Sequence, residues 1–573
     1  MNLSTTNIII KKASKGFLAT VLTAVMASCS DQKLTVSDEP GGDSAQPQSR
    51  PNFLLIVADD LAYSDLGAFG GEIETPTLDR LATEGIRFSS FYSSPTCSPT
   101  RSMLLTGTDN HIAGLGNMAE AINDNQRGKP GYEGYLNNRV ITIASVLQQS
   151  GYQTYMSGKW HLGMAESQSP SERGFERSFA LLQGGAGHFD NTGLIKRSMP
   201  ALYREDGKYT EWPEGGYSSD VYADKLIEYL DQSETDKPFF AYLAFTAPHW
   251  PLQAPDALIE KYRGKYDGGW DELLIKRVEK MQSLGLIKNV PDVNPPFEYK
   301  PWAQLSSEEK QIAARKMEVY AAMVESLDNN IARVLDHLEA HDQLENTIVI
   351  FLSDNGAEGL DLGEVPLFAE HIATFDNSYE NIGRPNSYTY LGPSWGYATT
   401  TVRRLFKSHT TEGGIRVPAI VWQANAPSGG KVYEHALTVM DVAPTLFDLA
   451  NLDSLDALYQ QGEFSALRGK SFVQTLANAE NPVHAENQAL SWELFGRRAA
   501  RQGDWKILWD YPPNGKGDWE LFDLKNDPGE ANDLSLQYPE KRQELIKQWE
   551  SYAAEVGVIL PDSKPAVSEK VKK

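Results

Sequence analysis

Cys97 stands in the stretch "SSPTCSPTRSMLLTG" (93–107), beside Ser98, Pro99, Thr100 and Arg101, in a chain of 573 residues with two cysteines. One cysteine makes no internal disulfide, so Cys97 is inert packing, a thiol nucleophile or a residue that is chemically altered. Acidic residues gather elsewhere. Asp59 and Asp60 close the apolar run "NFLLIVADD", and Asp354 and Asn355 close "NTIVIFLSDNG". Three carboxylates and an amide oxygen form an oxygen-only donor set, which favours a hard divalent cation, Ca2+ or Mg2+, over Zn2+. The plainer alternative is two helix caps that never meet. "GKWHLG" sets Lys159 and His161 two residues apart, so in an extended segment both face one side with Trp160 turned away. A cation beside an imidazole suits an anion and a proton transfer. His249 lies in the proline-bounded turn "APHWP", and Lys407 precedes a Gly-Gly turn in "LFKSHTTEGGIRVPA". Taken alone, Lys407 reads as a surface lysine.

These residues need elements to hold them. The runs at 52–60, 237–250 and 346–356 are apolar with polar carboxyl ends, as expected of strands buried on both faces of a parallel sheet. Residues 140–163 read as a helix, a stop at Gly151, a strand and a polar end. Over 317–341, Val319, Met323, Leu327, Ile331, Val334 and Leu338 recur at helical spacing and predict a long amphipathic helix. Strands alternating with helices indicate an α/β fold, in which ligands sit beyond the carboxyl ends of the strands. Asp59–Asp60, Lys159–His161, His249 and Asp354–Asn355 are therefore predicted to share one rim. Residues 436–451 read as a further helix, and 490–510 and 518–534 as antiparallel strands, with "NDPGE" as a turn. This predicts a catalytic domain over 51–455 and a smaller C-terminal α+β subdomain over 456–573.

The formal net charge of −24 argues against sequence-independent binding of nucleic acid and against docking on anionic lipid through a basic patch. At the N-terminus, Lys11, Lys12 and Lys15 precede "GFLATVLTAVMAS", an apolar run too short to span a bilayer comfortably, so residues 1–28 read as a secretory signal. "MASC" followed by Ser30 resembles the lipobox of bacterial lipoproteins. That resemblance implies a lipid anchor at Cys29 and an exported, periplasmic, outer-membrane-anchored lipoprotein of a Gram-negative bacterium. Residues 29–50 read as a flexible linker.

The segment "CSPTRSMLLTG" fits the signature C-x-P-x-R, then Thr-Gly after four intervening residues, of the type I (formylglycine-dependent) sulfatases. "NFLLIVADDLAYSDLGAFGGEIETPTLDRLA", "TDNHIAGLGNMAEAI", "GKWHLG", "APHWPLQAP", "SDNGAEG", "TTEGGIRVPA" and "LFDLKNDPGE" look like the same family in the same order. From about residue 51 onward the chain is most similar to the pseudomonad-type bacterial arylsulfatases. The resemblance implies an alkaline-phosphatase-like large domain, with a central, mostly parallel sheet flanked by helices, and a smaller domain with an antiparallel sheet. It implies that a separate formylglycine-generating maturation enzyme, reading Pro99 and Arg101, converts Cys97 to formylglycine. It implies one Ca2+ on Asp59, Asp60, Asp354, Asn355 and residue 97, with Arg101 holding the hydrated aldehyde. Lys159, Lys407 and His249 would bind the sulfate and the leaving-group side, and His161 would remove the proton that expels sulfate. The implied activity is hydrolysis of an aryl, alkyl or sugar sulfate to an alcohol or phenol plus inorganic sulfate. Two alternatives stand beside it. One is a phosphodiesterase or phosphonate monoester hydrolase of the same superfamily, against which the chain shows no added ligand-histidine cluster. The other is a non-catalytic lipoprotein that binds sulfated glycans, against which Cys97, Arg101, Lys159, His161 and His249 are all intact.

Overall fold

The apolar runs become strands because each is buried along its length, and their carboxyl ends lie level. The computed structural model describes residues 50–427, 429–452, 459 and 464–563. The signal segment, the tether up to residue 49 and the expected boundary at 455/456 lie outside the described residues. The large sheet is built from β1 (Asn52–Ala58), β2 (Ile86–Tyr92), β3 (Gln153–Lys159), β4 (Arg177–Leu181), β5 (Tyr203–Glu205), β6 (Lys208–Thr210), β7 (Phe239–Ala244), β8 (Thr347–Ser353), β9 (Arg416–Trp422), β10 (Val432–Tyr433) and β11 (Leu437–Thr438). Its order is β10-β2-β9-β8-β1-β7-β3-β4-β5-β6, with β11 also on β2. The central strands β8, β1, β7, β3 and β4 run parallel, while β9 is antiparallel to both β8 and β2. The α/β class, the mostly parallel sheet and the separate antiparallel sheet are all as expected.

Side chains of β1 alternate between two cores. Leu54, Ile56 and Ala58 pack with the helix Ser307–Ala340, and Phe53, Leu55 and Val57 with Met103, Leu104 and Leu105 of the helix Cys97–Thr106. The six periodic residues Val319 to Leu338 are all buried. That helix starts ten residues before the expected 317, because Ser306 and Glu309 form a capping box. The Glu309 N–H donates to Ser306 Oγ at 3.2 Å, and the Ser306 N–H donates to Glu309 Oε2 at 2.7 Å. The expected helix over 436–451 is shorter than its pattern, spanning Val442–Leu449. Leu437 and Thr438 pair with β2 instead, and the Thr438 N–H donates to Asp441 Oδ2 at 2.7 Å.

The second sheet, β12 (Ala489–Leu494), β13 (Arg497–Gln502), β14 (Trp505–Trp509) and β15 (Trp519–Asp523), is antiparallel in sequence order. One face carries Leu545, Ile546 and Trp549 of the helix Pro539–Val556. On the other, Leu490, Trp492, Ala499, Leu508 and Phe522 share a core with Tyr92 and Ile415. Charged groups are buried at the same seam. Lys506 Nζ lies 2.9 Å from Glu412 Oε1 and 2.7 Å from Glu530 Oε1, and the Tyr92 hydroxyl donates to Glu412 Oε2 at 2.8 Å. The His111 ring bridges Asp109 Oδ1 (2.8 Å) and Glu493 Oε2 (3.0 Å), and the Tyr552 hydroxyl donates to Asp109 Oδ2 at 2.8 Å.

Candidate active site

Strand register gathers the polar ends. Ala58 pairs with Ser353, and Val57 and Gly158 both pair with Ala244, so β1, β3, β7 and β8 finish side by side. Asp59 and Asp354 follow directly, held by N–H donation to the Ala247 and Ala58 carbonyls, each at 3.1 Å. Asp60 has φ +66°, a left-handed conformation unusual for a side-chain-bearing residue. Cys97 opens the helix Cys97–Thr106 at this rim, and Arg101, one turn on, shares its face. The Cys97 thiol donates to Asp59 Oδ1 at 3.4 Å and lies 3.8 Å from Asp60 Oδ1. Arg101 binds Asp354 Oδ2 through Nε (2.9 Å) and Nη2 (2.8 Å), and its Nη1 donates to the Lys159 carbonyl at 3.1 Å. Lys159 Nζ sits 2.9 and 2.7 Å from the two Asp59 oxygens, and Lys407 Nζ 2.8 Å from Asp60 Oδ2. Lys407 is thus buried at the site and is no surface lysine. Its loop closes because Gly413 and Gly414 pass where a Cβ would stand 2.0 Å from the Leu405 and His409 carbonyl oxygens respectively.

His249 Nδ1 lies 2.5 Å from the Trp250 carbonyl oxygen, so Nδ1 carries the proton, and Nε2, 3.6 Å from Asp60 Oδ2, keeps its lone pair. His161 departs from the extended geometry expected of "GKWHLG". β3 ends at Lys159, and His161 takes φ +56°. Its Nε2 pairs with Glu120 Oε1 at 3.1 Å, and its Nδ1 is buried without a hydrogen-bond partner among the described residues. Its ring lies against Gly184, where a Cβ would stand 2.7 Å from Cε1. Trp160 does turn away, its indole N–H donating to the Gln168 carbonyl at 2.9 Å.

Burial, and then the neighbouring Asp354 carboxylate, push the Cys97 thiol well up, outweighing Lys159 and Lys407. Burial and the adjacent carboxylate thus disfavour a thiolate at Cys97. Burial works against ionisation of Asp60, yet the ammonium groups of Lys407 and Lys159 hold its carboxyl below the usual range. Asp354 is raised by burial and by Asp59. Burial keeps His249 well below the usual imidazole range, while Lys159 and Lys407 stay charged beside their carboxylates.

Donor atoms of Asp59, Asp60, Cys97 and His249 lie within 4.8 Å of one another. Asn355 Nδ2 donates to Asp60 Oδ1 at 2.6 Å, while its Oδ1 is buried with no hydrogen-bond partner among the described residues. An orphaned buried amide oxygen beside packed carboxylates is the donor set that a hard cation satisfies. Asp354 reaches the same cluster through Oδ1, which accepts from the Asp60 N–H at 3.2 Å.

Three further side chains serve the site. Glu358, buried, lies 3.5 Å from Lys407 Nζ and accepts from the Trp250 indole at 3.3 Å. Its place four residues after Asp354 was a usable signal. Glu120 lies in a single turn with no periodicity to mark it. His188 donates from Nε2 to the His249 carbonyl at 3.0 Å while Nδ1 meets Ser218 Oγ at 2.6 Å, so it fixes the His249 backbone. Nothing in the sequence links positions 188 and 249.

The sulfatase family profile matches residues 51–452. An uncharacterised sulfatase of Schizosaccharomyces pombe is 46% identical over 89% of this chain and 94% of its own length. An arylsulfatase of Klebsiella aerogenes is 38% identical over 72% of this chain and 89% of its own length. Among solved structures, Ps i-CgsB superposes with a TM-score of 0.63 at 24% identity, over 88% of this chain and 93% of the other, which is a likeness of fold.

Proposed function

The chain belongs to the sulfatase family and is a sulfuric ester hydrolase, and from that premise we propose that it works with a formylglycine at position 97 and a calcium ion held by Asp59, Asp60, Asp354 and Asn355. One observation carries this reading. Cys97, buried, opens a helix against Asp59 and Asp60, with Arg101 one turn on, locked to Asp354 and the Lys159 carbonyl. Bound calcium supplies a divalent charge that offsets the carboxylates and draws sulfate oxygens to the rim. A hydrated formylglycine supplies an oxygen nucleophile for sulfur and a second hydroxyl whose deprotonation releases sulfate.

The chain's own residues do the rest. Arg101, fully buried and held from both sides, fixes the group at position 97. Lys159 and Lys407 hold two ammonium charges where charge grows on the sulfonyl and leaving oxygens. Neutral His249 presents Nε2 beside Lys407 and Asp60, and an entering anion favours its protonation, so with Lys407 it serves the departing oxygen. Glu120 accepts the Nε2 proton of His161 and leaves the Nδ1 lone pair to take the proton that expels sulfate.

The test joins chemistry to activity. Trypsin should release Phe88–Arg101 with sulfur replaced by oxygen and two hydrogens lost, and the preparation should free sulfate from an aryl sulfate. Cys97→Ala should abolish turnover and keep the fold. Full activity with an unmodified Cys97 thiol, or faster turnover of an aryl phosphate diester than of the sulfate, overturns the reading. A panel of aryl, alkyl and sugar sulfates assigns the substrate class. The lysines at 11, 12 and 15 and the "MASC" stretch support export to the periplasm and a lipid anchor at Cys29. If Cys29→Ala leaves the membrane-bound fraction unchanged, the anchor is wrong.

A further inference from the structure

Far from the catalytic rim, two helices end together. Asp231 is the last residue of the helix Ser218–Asp231, and His337 and His341 stand one turn apart at the end of the helix Ser307–Ala340. The His341 Nδ1–H donates to the His337 carbonyl at 2.8 Å, which leaves the Nε2 lone pair free to face outward. His337 Nε2 lies 3.6 Å and His341 Nε2 4.0 Å from the same oxygen, Asp231 Oδ1. An ion pair drawn together by a hydrogen bond would close to about 2.8 Å. Ligands at about 2.0–2.1 Å from a tetrahedral zinc stand roughly 3.3 Å apart, close to the spacing seen here. The two ring centroids lie 4.3 Å apart, with the planes tilted by 36°. Burial and the neighbouring His341 hold His337 below the usual imidazole value, the neutral form that ligates metals.

We propose that Asp231, His337 and His341 form a second metal site, for a borderline divalent transition metal of the zinc class, with the fourth position open to solvent. Its ligand chemistry is distinct from that of the oxygen-rich catalytic rim. Two imidazoles at i, i+4 with one carboxylate select nitrogen-loving ions, where the rim selects a hard one. All three donor atoms lie within 4.8 Å of one another, so the ion needs only a small closure. Bound there, it ties the two helix ends that lead into β7 and β8, the strands flanking β1 that carry His249 and Asp354 beyond their ends.

The test is calorimetric titration of Zn2+ into the full chain with excess Ca2+ present, on wild type, on the H337A/H341A double variant and on D231N. Wild type should bind one more zinc equivalent than the double variant. D231N should weaken that equivalent by at least the roughly tenfold that loss of an outer-shell partner already costs. Zinc should also raise the melting temperature of wild type and not that of the double variant. Equal zinc stoichiometry in wild type and double variant, or undiminished affinity in D231N, overturns the site. Sulfatase turnover without zinc, unchanged in all three, shows that the variants are folded.

Discussion

At the scale of single residues, the site rests on buried charges that have no second place to go. Arg101 has one carboxylate partner at hydrogen-bond distance, Asp354, and the Asn355 amide oxygen has no donor at all among the described residues. Asp354→Asn keeps the shape and removes the charge. It should lose the proposed calcium equivalent, measured by equilibrium dialysis, and lower sulfate release by about a hundredfold or more, the scale of losing one preorganised electrostatic contact. Breaking the buried pair with Arg101 should also cost about 3–5 kcal/mol of stability. An Asp354→Asn protein that retains calcium and turnover would take Asp354 out of the metal set. Much of this scale was legible in the sequence. Cys97 and Arg101 were marked by the resemblance of "CSPTRSMLLTG" to the sulfatase signature, and the acids by their place at strand ends. Glu120 and His188 were not, because their partners lie 41 and 61 positions away and only tertiary packing brings them together.

At the scale of elements, positions are set by close backbone approach. Gly158, the residue before Lys159, has φ +119°, and a Cβ there would stand 1.8 Å from the Ala244 carbonyl oxygen on β7. Gly158→Ala should therefore spread β3 from β7 and draw Lys159 from Asp59. We expect a stability loss of about 1–3 kcal/mol by overpacking, with a fall in kcat exceeding any rise in KM, read by thermal melts and steady-state kinetics. Wild-type kinetics in that variant would show that β3 has slack. The strands and the long helix were readable because burial writes a plain apolar pattern. The start of that helix at Ser307 was readable too, from Ser306 and Glu309, but hydrophobic periodicity alone begins later. His161 was misjudged in geometry because a left-handed residue leaves no mark in side-chain alternation.

At the scale of the molecule, the C-terminal sheet is locked to the large one by buried charge. His111 is buried between Asp109 and Glu493, and although burial opposes its charge, the two carboxylates raise it to about 9. A raised imidazole stabilises the fold fully below its unfolded value, about 6.5, and the gain is lost as pH climbs through about 9. The contribution at neutral pH is bounded by about 3 kcal/mol. Melting temperature should accordingly fall between pH 6.5 and 9.5, followed by fluorescence of Trp492 in that seam, and His111→Asn should flatten the curve. An unchanged slope in that variant would assign the loss to other groups. The sequence showed that an antiparallel sheet follows the large domain. It did not show this lock, since Asp109, His111, Glu493 and Tyr552 meet only in the folded chain.

The pairing of β1 also sets an order in time. Asn52 lies beside Thr347, its partner 295 residues later in the chain. At a synthesis rate of about 5–20 residues per second, the first strand waits roughly 15–60 seconds for that neighbour to be made. Cys97, made early in that interval, rides through the rest of it on an open chain, where the proposed conversion would reach it. Once β8 docks, the residue is 2% exposed and the window shuts. A thiol reagent should therefore label Cys97 at once in urea-unfolded chain that has escaped conversion, and spare the same chain after refolding.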